Sequence, residues 1–102
     1  MDELIRGTTP TYIFQDFGFD VSEITDGYFV ITQAKKVIIE KDLSAATITA
    51  TEIRWTLTQA ESLSLDASKP ATVYMIWKNG AVRGETERLT VEVRNTAKNE
   101  EI

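Results

Sequence analysis

The side chains available for chemistry are carboxylates, lysines, tyrosines and hydroxyls, because the chain contains neither cysteine nor histidine. Thiolate nucleophiles, Cys/His zinc sites, iron–sulfur clusters and Ser-His-Asp triads are therefore excluded within it. Paired carboxylates remain. Glu85 and Glu87 alternate along a late strand-like segment that also carries Glu92. Strand rise would set the first two roughly 7 Å apart on one face, near the spacing of an inverting glycosidase pair. The simpler account is a solvated strand face carrying charges. Asp16, Asp20, Glu23 and Asp26 form a carboxylate-rich stretch. It lacks the D-x-D-x-D-G spacing of a calcium loop, and helix capping explains Asp20 and Glu23 better. The expectation is a protein without catalysis, cofactor or metal ligands.

Aromatic residues offer a second kind of site. Trp55, Trp77, Tyr74, Tyr28 and Tyr12 are the side chains from which a sugar-stacking platform would be built. Trp55 is in phase with Ile53 and Leu57, and Trp77 with Val73 and Met75, so both are predicted to face the core. Tyr74 shares the opposite face with Ile76. These two, with Tyr28, are the candidate protein interface. Thr47, Thr49, Thr51, Thr56, Thr58 and Thr90 line polar strand faces, which solvate well and can also pair edge to edge with another chain.

Strands must position these residues. Thr, Val and Ile number 14, 7 and 10 of the 102 residues, and β-branched side chains favour extended backbone. Segments 11–17, 28–32, 37–41, 46–50, 52–58, 72–78 and 81–93 read as strands. The cleanest alternation is Ile53, Trp55 and Leu57 against Arg54, Thr56 and Thr58. Asn79-Gly80 suits a two-residue type I′ hairpin turn, and Gly84 marks a bulge or bend. Asp20 with Glu23, and Thr58 with Glu61, have capping-box spacing and open two short helical turns. About seven strands with short connections predict an all-β, antiparallel immunoglobulin-like β-sandwich, with a small β-barrel as the alternative. The expected domain is 1–102, with its core over 8–94 and frayed ends at 1–6 and 95–102.

The formal charge is −5 and the pI near 4.7, which disfavours a phosphate backbone as partner. No apolar run approaches the roughly 20 residues of a membrane span, and the N-terminus has no signal-peptide pattern. The expectation is neither nucleic-acid nor membrane binding, and no secretion by signal peptide. Absence of cysteine suits a reducing compartment.

The order of segments Ile5-Arg6-Gly7-Thr8-Thr9-Pro10-Thr11, Phe19-Asp20-Val21-Ser22-Glu23-Ile24, Thr32-Gln33, Lys36-Val37-Ile38-Ile39-Glu40-Lys41 and Leu57-Thr58-Gln59-Ala60-Glu61-Ser62-Leu63 resembles small prophage-encoded tail and baseplate-module proteins of Gram-positive bacteria. It is similar to the N-terminal domain of phage baseplate upper proteins. The resemblance covers residues 5–94 and departs at Asp16-Phe17-Gly18-Phe19, where a plainer apolar strand end is expected. It implies a β-sandwich and a structural or assembly role, in the virion or in the host cytoplasm during assembly. The implied partners are tail or baseplate proteins or further copies of the chain. A carbohydrate- or ligand-binding β-sandwich module is the alternative.

Overall fold

The computed structural model describes residues 2–102. Nine strands and three short helical turns follow in the order β1 (Asp2–Ile5), β2 (Thr11–Gln15), a 3-10 turn (Val21–Glu23), β3 (Asp26–Gln33), β4 (Lys36–Asp42), a 3-10 turn (Leu43–Ala45), β5 (Ala46–Ile48), β6 (Glu52–Thr56), α1 (Gln59–Leu63), β7 (Ala71–Asn79), β8 (Val82–Glu85) and β9 (Leu89–Arg94). The larger sheet has the order β1-β9-β7-β3-β4, with β8 also on β7, and the smaller sheet has the order β2-β6-β5. The fold is an all-β sandwich, as the alternation predicts.

The core lies between the sheets. Phe29, Ile31, Val73, Met75 and Val91 of the larger sheet meet Phe14, Ile53 and Trp55 of the smaller. Trp55 stacks on Phe29 with ring centroids 4.9 Å apart, and Phe29 stacks on Phe14 at 5.6 Å. Leu57 and Leu65 flank α1 and close one end of this core. Both predicted capping boxes form. Asp20 accepts from the Ser22 N–H while Glu23 accepts from the Asp20 N–H, and Thr58 and Glu61 exchange bonds in the same way.

Five expectations need correction. Of the expected frayed end 1–6, Met1 lies outside the described residues, and the rest is not frayed, because Asp2–Ile5 pairs in parallel with β9 and buries Leu4. One apolar side chain in the core outweighs the two charged residues before it, Asp2 and Glu3, since both are exposed to water. This pair makes the sandwich antiparallel in all ladders but one. The segment after Asn95 has no regular structure, yet Arg6 donates to the side-chain oxygens of Asn95 and Asn99 at 2.7 and 3.0 Å and to the Leu63 carbonyl at 2.8 Å. One guanidinium thus ties both chain ends to α1.

The long late strand divides. Glu85 opposes Ile76 and Leu89 opposes Val73, so residues 86–88 stand against only 74 and 75. This is a bulge between β8 and β9 on one edge of β7. Thr86 holds it, since its N–H donates to the Met75 carbonyl and its hydroxyl accepts from the Met75 N–H, both at 2.9 Å.

The β7–β8 turn is Gly80-Ala81 rather than Asn79-Gly80, because Asn79 pairs with Val82. Only Gly80 of the two has positive φ, at 59°, which is the type II′ pattern. Packing selects this register. It sets Gly84 opposite Trp77, and a Cβ at position 84 would lie 2.3 Å from the indole. The predicted turn would instead put Val82 there. Gly84 therefore lies within a strand, under an aromatic ring, and the bulge falls two residues later.

Candidate interaction surface

The three candidate interface residues lie on one face, the outer side of the larger sheet. Tyr28 of β3 pairs in register with Ile76 of β7, and Val30 pairs with Tyr74 one step along. Antiparallel register partners point to the same side, opposite to Phe29 and Met75 in the core. Tyr28 is 42% exposed and Ile76 half-buried. Tyr74 departs from the expected exposure, being only 8% exposed. The Arg88 guanidinium lies over its ring, 4.3 Å from the centroid, and this cation–π contact covers it. The bulge at 86–88 brings Arg88 there, and Arg88 Nη2 also donates to Glu85 at 2.9 Å.

Charges frame this apolar centre unevenly. Asp42 and Glu40 of β4 sit beside Tyr28 and Val30 respectively, and Asp26 stands next to Lys78. Lys78 is followed across β8 by Arg83. A shallow groove of about 280 Å³ touches Asp26, Tyr28, Glu40, Ile76, Lys78 and Arg83.

A second concavity opens at one end of the sandwich. A cleft of about 440 Å³ runs between β2 and the β8 edge, lined among others by Ile13, Phe17, Trp77, Glu85 and Glu87. Trp77 follows the predicted inward phase but is only half-buried. The smaller sheet stops at Gln15, and the loop after β2 covers what lies beyond. Phe17 meets the indole edge-on at 6.4 Å and Phe19 at 5.0 Å. Asp16 and Gly18, both at positive φ, turn this loop. The stretch Phe17-Gly18-Phe19 is thus the cover of the Trp77 end. Glu85 and Glu87 both reach the cleft. Glu87 belongs to the bulge, however, so the two are not a same-face pair on a regular strand, and Glu85 is bound to Arg88. Glu92 lies on β9 opposite Glu3, away from this cleft. Asp16, Asp20, Glu23 and Asp26 do not converge, and no cluster of three or more metal-ligating side chains occurs among the described residues.

Tyr12 packs near Trp55, with centroids 6.4 Å apart. Burial, aided by the charge of Asp2, pushes its pKa up to about 12. Three aspartates are held below the usual carboxylate range. For Asp20 the main cause is the Ser22 N–H, and for Asp42 and Asp66 the hydroxyls of Ser44 and Ser68. The recurring Asp-x-Ser spacing is a sequence signal for these turns, in which the carboxylate accepts from the N–H two residues on.

Residues that periodicity does not mark also position the faces. Gln33 is buried, donating to the Asp66 and Lys69 carbonyls and accepting from the Asp66 N–H, which fixes the loop into β7. Ser62 donates to the Thr8 carbonyl at 2.7 Å and accepts from the Gly7 N–H at 2.9 Å. Both satisfy backbone groups that burial would otherwise strand. Comparison with protein-family models, curated proteins and solved structures gave no match.

Proposed function

We propose that this chain is a non-catalytic structural or assembly protein of a phage tail or baseplate region, working through protein–protein contacts. The supporting observation is the outer face of the larger sheet. Tyr28 and Ile76 stay accessible at the centre of a charged frame, on strands whose other side is locked into the core. An apolar centre with a polar rim is the make-up of a protein contact. The segment order between residues 5 and 94 supplies the phage assignment. The site of action is then the particle itself, or the cytoplasm of the infected host during assembly.

The test uses a lysogen that encodes the chain. Particles purified after induction are probed for it by mass spectrometry, and the gene is deleted in parallel. Co-purification with tails, or tailless particles on deletion, is the expected result. Absence from particles together with normal tails on deletion rejects the reading.

A carbohydrate- or ligand-binding module is the second reading, and the half-exposed Trp77 beside two carboxylates favours it. Aromatic rings beside hydrogen-bonding groups in a concavity suit sugar recognition. In a Trp55→Phe variant only Trp77 emits. Cell-wall oligosaccharides at millimolar concentration should then shift its emission and shield it from acrylamide; no change in either defeats this reading.

A further inference from the structure

The smaller sheet sets three strands against six, and its edge strand β2 borders a gap in that layer. β2 lies over β3 and β7, since Phe14 stacks on Phe29 and lines a cleft with Val73. β8 and β9 carry the larger sheet on beyond β7. Clefts of about 440 and 400 Å³ follow the β2 edge and meet at Ile13, Phe14 and Glu87. Trp77 lines the first and Leu89 the second. Both have the inward phase of Met75 and Val91, yet Leu89 is exposed and Trp77 only half-buried.

The main chain is open along the same edge. The Leu57 N–H donates to the Pro10 carbonyl, one step beyond the Thr11–Thr56 pair. Antiparallel alternation then turns Tyr12 and Phe14 toward β6 and aims the N–H and C=O of Thr11, Ile13 and Gln15 away from it. β2 has no second ladder, and no other bond reaches these six groups among the described residues. The edge strands β1, β4 and β8 all carry charged residues, which discourage pairing with a foreign strand; Thr11-Tyr12-Ile13-Phe14-Gln15 carries none.

We propose that this gap takes an extended segment of another protein as a fourth strand of the smaller sheet, apolar at alternate residues and basic at its ends. Six main-chain hydrogen bonds to Thr11, Ile13 and Gln15 would hold it, and its apolar side chains would cover Leu89 and Trp77. A single extended chain fits where a second folded copy does not, because the larger sheet already lies under the place that a copy's own larger sheet would need. The charges along the clefts are Asp16, Glu85, Glu87 and Arg88. Glu85 and Arg88 pair with each other, as do Glu52 and Arg54 on the neighbouring strand. Asp16 and Glu87 have no ion-pair partner among the described residues, so the unbalanced charge is negative. That complementarity asks for lysine or arginine beside the apolar residues, and a cation there also meets the Trp77 ring. The chain's own tail, with Glu100 and Glu101, has the wrong charge. This site is separate from the outer face on which the protein-contact reading rests.

The test titrates the ¹⁵N-labelled full chain with acetyl-Lys-Val-Thr-Val-Thr-Val-Lys-amide, and with the same peptide ended by glutamates, up to about 1 mM. The lysine-ended peptide is expected to bind saturably, shifting the Thr11, Ile13 and Gln15 amides and slowing their hydrogen exchange. It should bind about tenfold more tightly than the glutamate-ended peptide, with less advantage at high salt and in an Asp16→Asn, Glu87→Gln variant. Ile13→Pro removes a donor that β6 does not use, a change that edge strands tolerate, and should weaken binding about tenfold. Should Ile13→Pro fail to fold, the three amides and the Asp16/Glu87 variant decide. No binding of the lysine-ended peptide overturns the proposal. So does equal binding of both peptides, binding that leaves the three amides untouched, or a folded Ile13→Pro that binds like the wild type. A cell-wall oligosaccharide in the same cleft would move Trp77 without protecting those amides. The particle experiment can succeed or fail whatever this titration shows.

Discussion

Trp55 and Trp77 occupy the same inward phase of their strands, and the sandwich treats them differently. Trp55 lies where both sheets overlap. It is fully buried, stacked on Phe29 and flanked by Tyr12. Trp77 lies where the larger sheet extends past the smaller, and a loop carrying Phe17 and Phe19 covers it in part. Strand periodicity decides which way a side chain points. The depth of its burial depends on whether a second layer reaches that far.

Truncating the two rings should break the symmetry most visibly. Trp55→Ala empties the middle of the core and should cost about 3–5 kcal/mol. Trp77→Ala should cost about half of that, because part of its surface is already in water. Denaturant melts of the two variants measure the difference. Equal losses would mean that the loop seals its end as well as a sheet does.

The next effect concerns Gly84. Gly84→Val drives a side chain into the Trp77 indole and should cost about 1–3 kcal/mol. In a Trp77→Leu background the penalty should shrink, which a double-mutant cycle detects as coupling. Additive losses would show that the ring does not choose the register of the β7–β8 hairpin.

A smaller change serves as a control away from both rings. Ala34 and Lys35 form the β3–β4 turn with positive φ at both positions, a conformation that costs side-chain-bearing residues about 1 kcal/mol each. Ala34→Asn with Lys35→Gly should therefore raise stability by about 1 kcal/mol. The gain should be the same with or without Trp77.

The mildest signature is alkaline and reports on the Trp55 side. Tyr12 has a folded pKa of about 12 against an ordinary value of 10.0. The unfolded chain gives up this proton first. The stability that the neutral phenol contributes is thus intact below pH 10 and is lost as pH rises toward 12. Melts across that window, wild type against Tyr12→Phe, should diverge with the wild type falling faster. Parallel curves would place Tyr12 in solvent.

The outer-face residues show how far one-dimensional reading extends to a surface. Alternation puts Tyr28, Tyr74 and Ile76 away from the core, and pairing between β3 and β7 makes them neighbours. Nothing local to Tyr74 announces that Arg88, fourteen residues on, covers it. That depends on a bulge whose partner strand is known only once the sheet has formed. Asn79-Gly80 is a strong turn signal, and Ala34-Lys35 is none. The turns nonetheless fall at Gly80-Ala81 and at Ala34-Lys35, because pairing along whole strands outweighs the preference of two residues.

Local chemistry alone determined the β class, the inward phase of Trp55 and both capping boxes, since each follows from contacts within a few residues. Local chemistry also excluded thiol, imidazole and zinc-finger chemistry. The tertiary structure decided the parallel docking of Asp2–Ile5, the Arg6 tie between the ends, the depth of Trp77 and the covering of Tyr74 by Arg88. These features join residues far apart in the chain, and their energies exist only after the strands have met.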